Sequence, residues 1–186
     1  LISSIVAILL ERIAYRPLRN SPRLVPLITA IGASFFIQYT FRGLFGSGFK
    51  AYPTVDALQG NLAFALMGND ITIPIVQLFV FGLALLLLGG LYVLVERTKI
   101  GKAMRAVSED KEVARLMGIN VDFIILVTFG IGGFLAGAAG VVNGLFRPQG
   151  VNFFMGFVPG IKAFTAAVLG GIGNVPGAML GGLFLG

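Results

Sequence analysis

The sequence predicts an all-α integral membrane protein, a polytopic helical bundle with broken or re-entrant glycine-rich helices near its C-terminal end. Three observations predict it. First, 56% of the 186 residues are hydrophobic and only 12% are charged, with a mean hydropathy of +0.93. Soluble domains carry about twice that charged share, and one this apolar would expose patches that drive aggregation. Second, apolar blocks recur at the length needed to cross a hydrocarbon core of about 30 Å, which takes about 20 helical residues. Third, there are 27 glycines, residues that transmembrane helices use for close backbone approach.

Each element follows in chain order. "LISSIVAILL" (1–10) is too short to span and runs straight into Glu11 and Arg12. It reads as the cut end of a span, and no basic region precedes it as in a signal peptide. The chain begins at Leu1 and ends at Gly186, both inside apolar runs, so the expectation is one membrane domain over 1–186, a fragment truncated at both ends. Full spans are expected at roughly 24–43, 73–95 and 123–146. These blocks are apolar on all sides, whereas barrel strands alternate apolar and polar residues. The mixed segment 46–72, with Pro53 and several glycines, predicts an excursion of turns and strand pieces. The tail 157–186 holds two apolar pieces broken by "GGIGNVPG", where a continuous helix is disfavoured. Either it is a broken helix facing protein or a water-filled cavity, or a helical pair lying near the membrane boundary.

Charge sets the orientation. Arg12, Arg16, Arg19, Arg23, Arg97, Lys99, Lys102, Arg105, Lys111 and Arg115 fall in segments 11–23 and 96–122. Arg42, Lys50, Arg147 and Lys162 fall elsewhere. Three alternating spans put both basic segments on one side, which the positive-inside rule makes cytoplasmic. The net charge of +6 is thus explained by topology, with no nucleic acid as partner and membrane lipid as the surroundings.

Catalytic chemistry is sparse. Without cysteine or histidine the chain has no thiol nucleophile, imidazole base or usual transition-metal site. No carboxylate lies mid-span: Glu11, Glu96, Glu109, Asp110, Glu112 and Asp122 belong to the basic side, and Asp56 and Asp70 to the other. That gives no support to a proton relay. Neither "GSGFKA" nor "GGIGNVPG" is a phosphate loop, so any ATP must be hydrolysed by another chain. Thr29, Ser34, Gln38, Asn143 and Thr165 are the candidates for a polar route through the membrane; the alternative for each is a bond within its own helix or to a neighbour. Small residues spaced by four, Gly133 with Gly137 and Gly177 with Gly181, permit close helix crossing, within one subunit or between two.

The charged stretch "RAVSEDKEVARLMGIN" (105–120) separates two oily blocks. Ser108 can cap a helix, Glu109 and Asp110 suit its first turn, and Gly118 suits its left-handed end. The expectation is a short helix at about 109–117 within a cytoplasmic loop over 96–122. Val113, Leu116 and Met117 share a face, with Ala114 beside them. So short a helix is marginal alone in water. It either rests on its own membrane domain or docks on a soluble partner.

Here the sequence resembles a known family. Glu112-Val113-Ala114, three residues, then Gly118 looks like the Glu-Ala-Ala loop of ATP-binding-cassette (ABC) importer permeases. Val113 replaces the second residue, and the later Ile-x-Leu-Pro ending is absent. "ERIAYRPLRNSPRLVPLITAIGASFFIQ", "RTKIGKAMRAVSEDKEVARLMGIN" and "KAFTAAVLGGIGNVPGAMLGGLFLG" closely resemble the branched-chain amino acid ABC permeases of the Liv type. The resemblance implies a transporter permease, not an enzyme, in a multi-pass bacterial inner membrane setting. Its implied partners are cytoplasmic ATPase subunits, a second and different permease and a periplasmic solute-binding protein. It binds no cofactor itself; ATP and magnesium are used by the partner subunits. The ATPase-coupling residues implied are Glu109, Asp110, Glu112, Val113, Ala114, Leu116, Met117 and Gly118. The solute is then a branched-chain amino acid, or a related urea or amide. An ion-coupled secondary carrier and a non-transporting structural subunit are the other classes considered.

Overall fold

The structure is a computed structural model that describes residues 1–18, 21–22, 24–50, 61–66, 69–146, 150–171 and 173–186. Arg19, Arg23, Pro53, Asp56 and Arg147, used above, lie outside them. The described elements are α1 (Ile2–Leu10), a π turn (Glu11–Tyr15), a 3-10 turn (Arg16–Leu18), α2 (Leu24–Phe45), β1 (Asn61–Leu66) and β2 (Asn69–Pro74). Then come α3 (Ile75–Arg97), α4 (Lys99–Glu109), α5 (Lys111–Leu116), α6 (Val121–Phe146), α7 (Phe157–Gly170) and α8 (Val175–Leu185).

Helices dominate because the long blocks are apolar on every side. α2, α3 and α6 have 22, 23 and 26 residues, or about 33 to 39 Å at 1.5 Å per residue. Two of them, α3 and α6, are long and apolar enough to cross a membrane, and almost nothing of either is buried inside the chain. α2 has the length of a span but carries Gln38, Tyr39 and Arg42 in its second half. The strand pieces expected in 46–72 form one antiparallel hairpin, with Asn61 opposite Pro74 and Leu66 opposite Asn69. A single bridge, Lys50 with Val151, ties the segment after α2 to the segment after α6 by bonds of 3.0 and 2.9 Å.

Small residues decide which helices touch. α1 packs along α6, and the pairing is antiparallel: Ile8 meets Gly130, Ala7 meets Gly133 and Ser3 meets Gly137. A Cβ on Gly133 would lie 2.5 Å from the Ala7 Cβ and 2.8 Å from the Ser3 carbonyl oxygen. α7 and α8 pack on each other in the same manner. A Cβ on Gly177 would lie 2.0 Å from the Gly170 carbonyl oxygen, and one on Gly181 2.6 Å from that of Ala166. Their chain break sits at the expected place: Gly171 and Gly173 have φ of 89° and 97°, and the Asn174 side chain accepts from the Gly177 amide at 3.2 Å to start α8. These spacings therefore serve packing within the chain.

The charged segment differs from the expected helix at 109–117. It is two helices, α4 and α5, hinged at Asp110, whose φ of −148° and ψ of 116° are extended. Glu109 ends the first and Asp110 caps the second, so neither sits in a first turn. Ser108 is not a cap: its hydroxyl donates to the Arg105 carbonyl at 2.7 Å. The physical reason lies upstream. The Thr98 hydroxyl accepts from the Gly101 amide at 3.1 Å, which starts α4 ten residues before Ser108. Ser108 is then inside an existing helix, where a serine hydroxyl turns to the preceding turn's carbonyl.

Candidate functional site

Two places gather the functional candidates: the α4–α5–α6 base, and a cavity between α1, α2 and α6.

The base is built on a buried cluster of Val107 from α4, Ala114 from α5 and Val121 and Ile124 from α6, flanked by Ala103, Met104, Ile119 and Ile125. α4 folds back on α3 because Gly101 has no side chain; a Cβ there would lie 2.1 Å from the Val95 carbonyl oxygen. Arg105 of α4 pairs with Glu96 of α3 across this elbow. Asp110 Oδ1 accepts from the amides of Glu112 (2.7 Å) and Val113 (3.1 Å), two of the donors that a helix start leaves unmade. The other end closes as a Schellman motif. Gly118 takes φ 79°, its amide donates to the Arg115 carbonyl and that of Ile119 to the Ala114 carbonyl, both at 3.0 Å. The Asn120 side chain then accepts from the Phe123 amide at 3.1 Å to begin α6.

The expected apolar face of α5 is thereby divided. Ala114 is 2% exposed and holds the helix to its own chain, while Val113, Leu116 and Met117 are 54%, 87% and 77% exposed. Glu109, Asp110 and Glu112 are exposed around them. The result is a short helix clamped at both ends, with an uncovered apolar knob inside a rim of mixed charge that also holds exposed Lys111 and Arg115.

The cavity has a volume of about 1120 Å³. Its walls are largely apolar or glycine: Ile2, Val6, Phe41, Phe45, Gly132, Val141 and their neighbours. One end holds Tyr15, whose ring lies 5.1 Å from that of Phe129. Burial pushes the Tyr15 phenol above its ordinary value. Lys50 and Asn152 lie on the lining near the bridge to Val151. Lys50 Nζ sits 5.0 Å from the centroid of the Phe45 ring.

Of the five pathway candidates, Gln38 alone lines this cavity. Its Nε2 donates to Ser34 Oγ at 3.1 Å, so Ser34 stands one turn behind it. Thr29 and Thr165 bond their own helices, to the carbonyls of Val25 at 2.9 Å and of Ile161 at 3.0 Å. Asn143 lies half-buried near the end of α6, away from the lining. Sequence reasoning passed over Phe41 and Phe45, although they follow Gln38 at helical spacing and mark one face of α2. It also passed over the role of α1 as a wall.

These features belong to a helical membrane permease. The whole chain, residues 1–186, matches the family described as branched-chain amino acid transport system / permease component, and the chain belongs to that family. It is 47% identical over 178 residues to the high-affinity branched-chain amino acid transport system permease protein BraD of Pseudomonas aeruginosa, covering 95% of this chain and 57% of BraD. It is 43% identical, with the same coverage, to the permease LivH of the corresponding Escherichia coli (strain K12) system. It is also 30% identical to the xylose transport system permease protein XylH of Escherichia coli, over 86% of this chain and 44% of XylH. The chain thus spans a little over half the length of the first relatives it matches. No solved structure matches it.

Proposed function

We propose that this chain is the membrane-spanning part of an ABC importer permease that moves branched-chain amino acids across a bacterial inner membrane. In this reading α2, α3 and α6 cross the membrane, the loop 96–122 is cytoplasmic, and α7 and α8 form a re-entrant pair. Partner ATPase subunits use ATP and magnesium. A second, different permease completes the pathway, and a periplasmic binding protein delivers the solute.

One observation carries the ATP-driven reading: the Val113–Leu116–Met117 knob, uncovered on a helix that both caps and Ala114 hold in place. Burying one such side chain stabilises by about 1.5–3 kcal/mol, and a rigid apolar anchor with a polar rim is the usual form of an interface centre. Glu109, Asp110, Glu112 and Gly118 complete the patch that an ATPase cleft would receive. Ala114 serves from below as its attachment.

For the solute, the relatives named for branched-chain amino acids are more similar than the one named for xylose. The mainly apolar cavity wall suits an aliphatic body better than a sugar, a urea or an amide. The test is purification of the full-length chain with its partners under gentle extraction, followed by leucine uptake in proteoliposomes. A stoichiometric ATPase and ATP-dependent uptake support the reading; uptake that follows an ion gradient without ATP overturns it.

A further inference from the structure

We infer that Lys50 and Asn152 form a carboxylate-recognition pair on the cavity wall, where they take the α-carboxylate of an aliphatic amino acid. The inference rests on the permease reading above and deepens it by naming the residues that meet the charged end of the solute.

The backbone sets both residues in place. Gly46 ends α2 with φ 84°, and its amide donates to the Arg42 carbonyl at 2.8 Å. A left-handed residue after a helix turns the chain aside, and four residues on the Lys50 amide and carbonyl both bond Val151. Lys50 is thus held without use of its side chain. Its ammonium lies 5.0 Å from the centroid of the Phe45 ring, a contact that orients a cation without engaging an acceptor. Among the described residues no carboxylate pairs with it. Asn152 directly follows the bridge partner. Its Oδ1 accepts from the Phe154 amide at 3.0 Å, which assigns the two halves of the side chain: the oxygen is engaged, and Nδ2 meets no acceptor among the described residues.

The surroundings say which ligand fits. Both residues line the cavity, and among the described residues Lys50 is the one charged side chain there. Arg42, near the same end of α2, is turned instead to the rings of Tyr39 and Phe153, at 5.9 and 5.4 Å, and is off the lining. The Lys50 ammonium and Asn152 Nδ2 offer only N–H donors, and an ionised carboxylate only accepts. The walls beside them, Phe41 and Phe45 stacked at 5.7 Å with Ile2, Val6 and Val141, take a hydrocarbon body. In such apolar surroundings an ammonium–carboxylate hydrogen bond is charge-assisted and strong. A sugar has no anion to offer the pair, so the pair favours an amino acid over it.

The experiment uses the full-length chain assembled with its ATPases and partner permease in proteoliposomes, with the binding protein saturated by leucine. Lys50→Met keeps the length and loses the charge; leucine moved per ATP hydrolysed is expected to fall about tenfold, while the ATPase rate stimulated by the binding protein stays at the wild-type level. Lys50→Arg keeps a cation and is expected to stay within about threefold of wild type. Asn152→Asp keeps the acceptor for the Phe154 amide but sets an anion in the site, and is expected to fall as far as Lys50→Met. Arg42→Met removes a neighbouring cation off the lining and is expected to transport normally. If Lys50→Met does not assemble, Lys50→Cys carries the test, with wild type treated in parallel. Its aminoethyl methanethiosulfonate adduct restores an ammonium and is expected to recover uptake, whereas the sulfonatoethyl adduct is not. Full uptake by Lys50→Met, equal recovery with both reagents, or an equal loss in Arg42→Met would each overturn the assignment. Loss of the stimulated ATPase rate in Lys50→Met would overturn it in favour of a contact with the binding protein. In each of these cases a wild-type complex that moves leucine with ATP leaves the permease reading standing; a wild-type complex that moves none overturns that reading and the assignment with it.

Discussion

Asp110 caps α5 through one carboxylate oxygen shared between two amides, while Ser108 turns its hydroxyl back into α4. Removing such a cap costs about 0.5–2 kcal/mol, a large share of the stability of a six-residue helix. Asp110→Ala should therefore speed hydrogen exchange at the amides of Glu112 and Val113 while leaving the α3 amides unchanged. Equal protection in the variant would show that Ala114 packing alone holds the helix. Gly118 sits at the other clamp with φ 79°, and a side chain there has open space but the wrong backbone. The left-handed conformation costs an ordinary residue roughly 1–2 kcal/mol. Gly118→Leu should thus disturb the Schellman closure, and, if α5 couples two subunits, ATP hydrolysis should continue while uptake is lost. Normal uptake by this variant would remove the lever role from the loop. The glycine was readable in the sequence because few other residues end a helix this way. The cap was not, since Ser108 and Asp110 are both good caps and only the start of α4 at Thr98 decides between them.

Among the elements, the long helices were legible because a 20-residue apolar block has few other structures open to it, though of the three only α3 and α6 are apolar enough to cross a membrane. The observed α2, α3 and α6 begin and end within a few residues of the expected 24–43, 73–95 and 123–146. The elbow between α3 and α4 was not legible. It depends on Gly101 touching the carbonyls of Val95 and Leu94, a contact that no periodicity announces. Which glycines matter is likewise a question of what stands opposite. Gly133 faces Ala7 and Ser3 across α1, whereas Gly82 on α3 has nothing within 4 Å. Gly133→Leu should push α1 off α6 and cost about 1–3 kcal/mol or more, seen as a lower melting temperature in detergent. Gly82→Ala should be neutral or slightly stabilising, because alanine is the better helix former. Equal effects from the two would mean that α1 does not pack on α6 in the assembled protein.

For the whole molecule, charge and packing constrain the same topology from different sides. The basic residues of 11–18 and 96–122 gather at one end because α1 runs antiparallel to α6. Arg16, just past α1, lies 3.8 Å from Asp122 at the start of α6; both are half exposed, so the pair adds little stability and mainly marks the shared end. The bridge of Lys50 with Val151 joins the opposite ends of α2 and α6. The cavity was the least legible feature, since it arises from three helices far apart in sequence, and of the five polar candidates only Gln38 faces it. On the proposed topology the α4–α5–α6 base is cytoplasmic and the Lys50 bridge lies on the other side. The 186 residues hold no cysteine, so a single introduced thiol is the one sulfhydryl among them. Val113→Cys should react with a membrane-impermeant maleimide only in inside-out vesicles, and Lys50→Cys only in right-side-out ones. Assembly with the ATPase should then slow the Val113→Cys reaction severalfold, because a side chain now 54% exposed enters the interface. Labelling of Val113→Cys from outside would invert the topology, and an unchanged rate in the assembled complex would remove α5 from the docking surface.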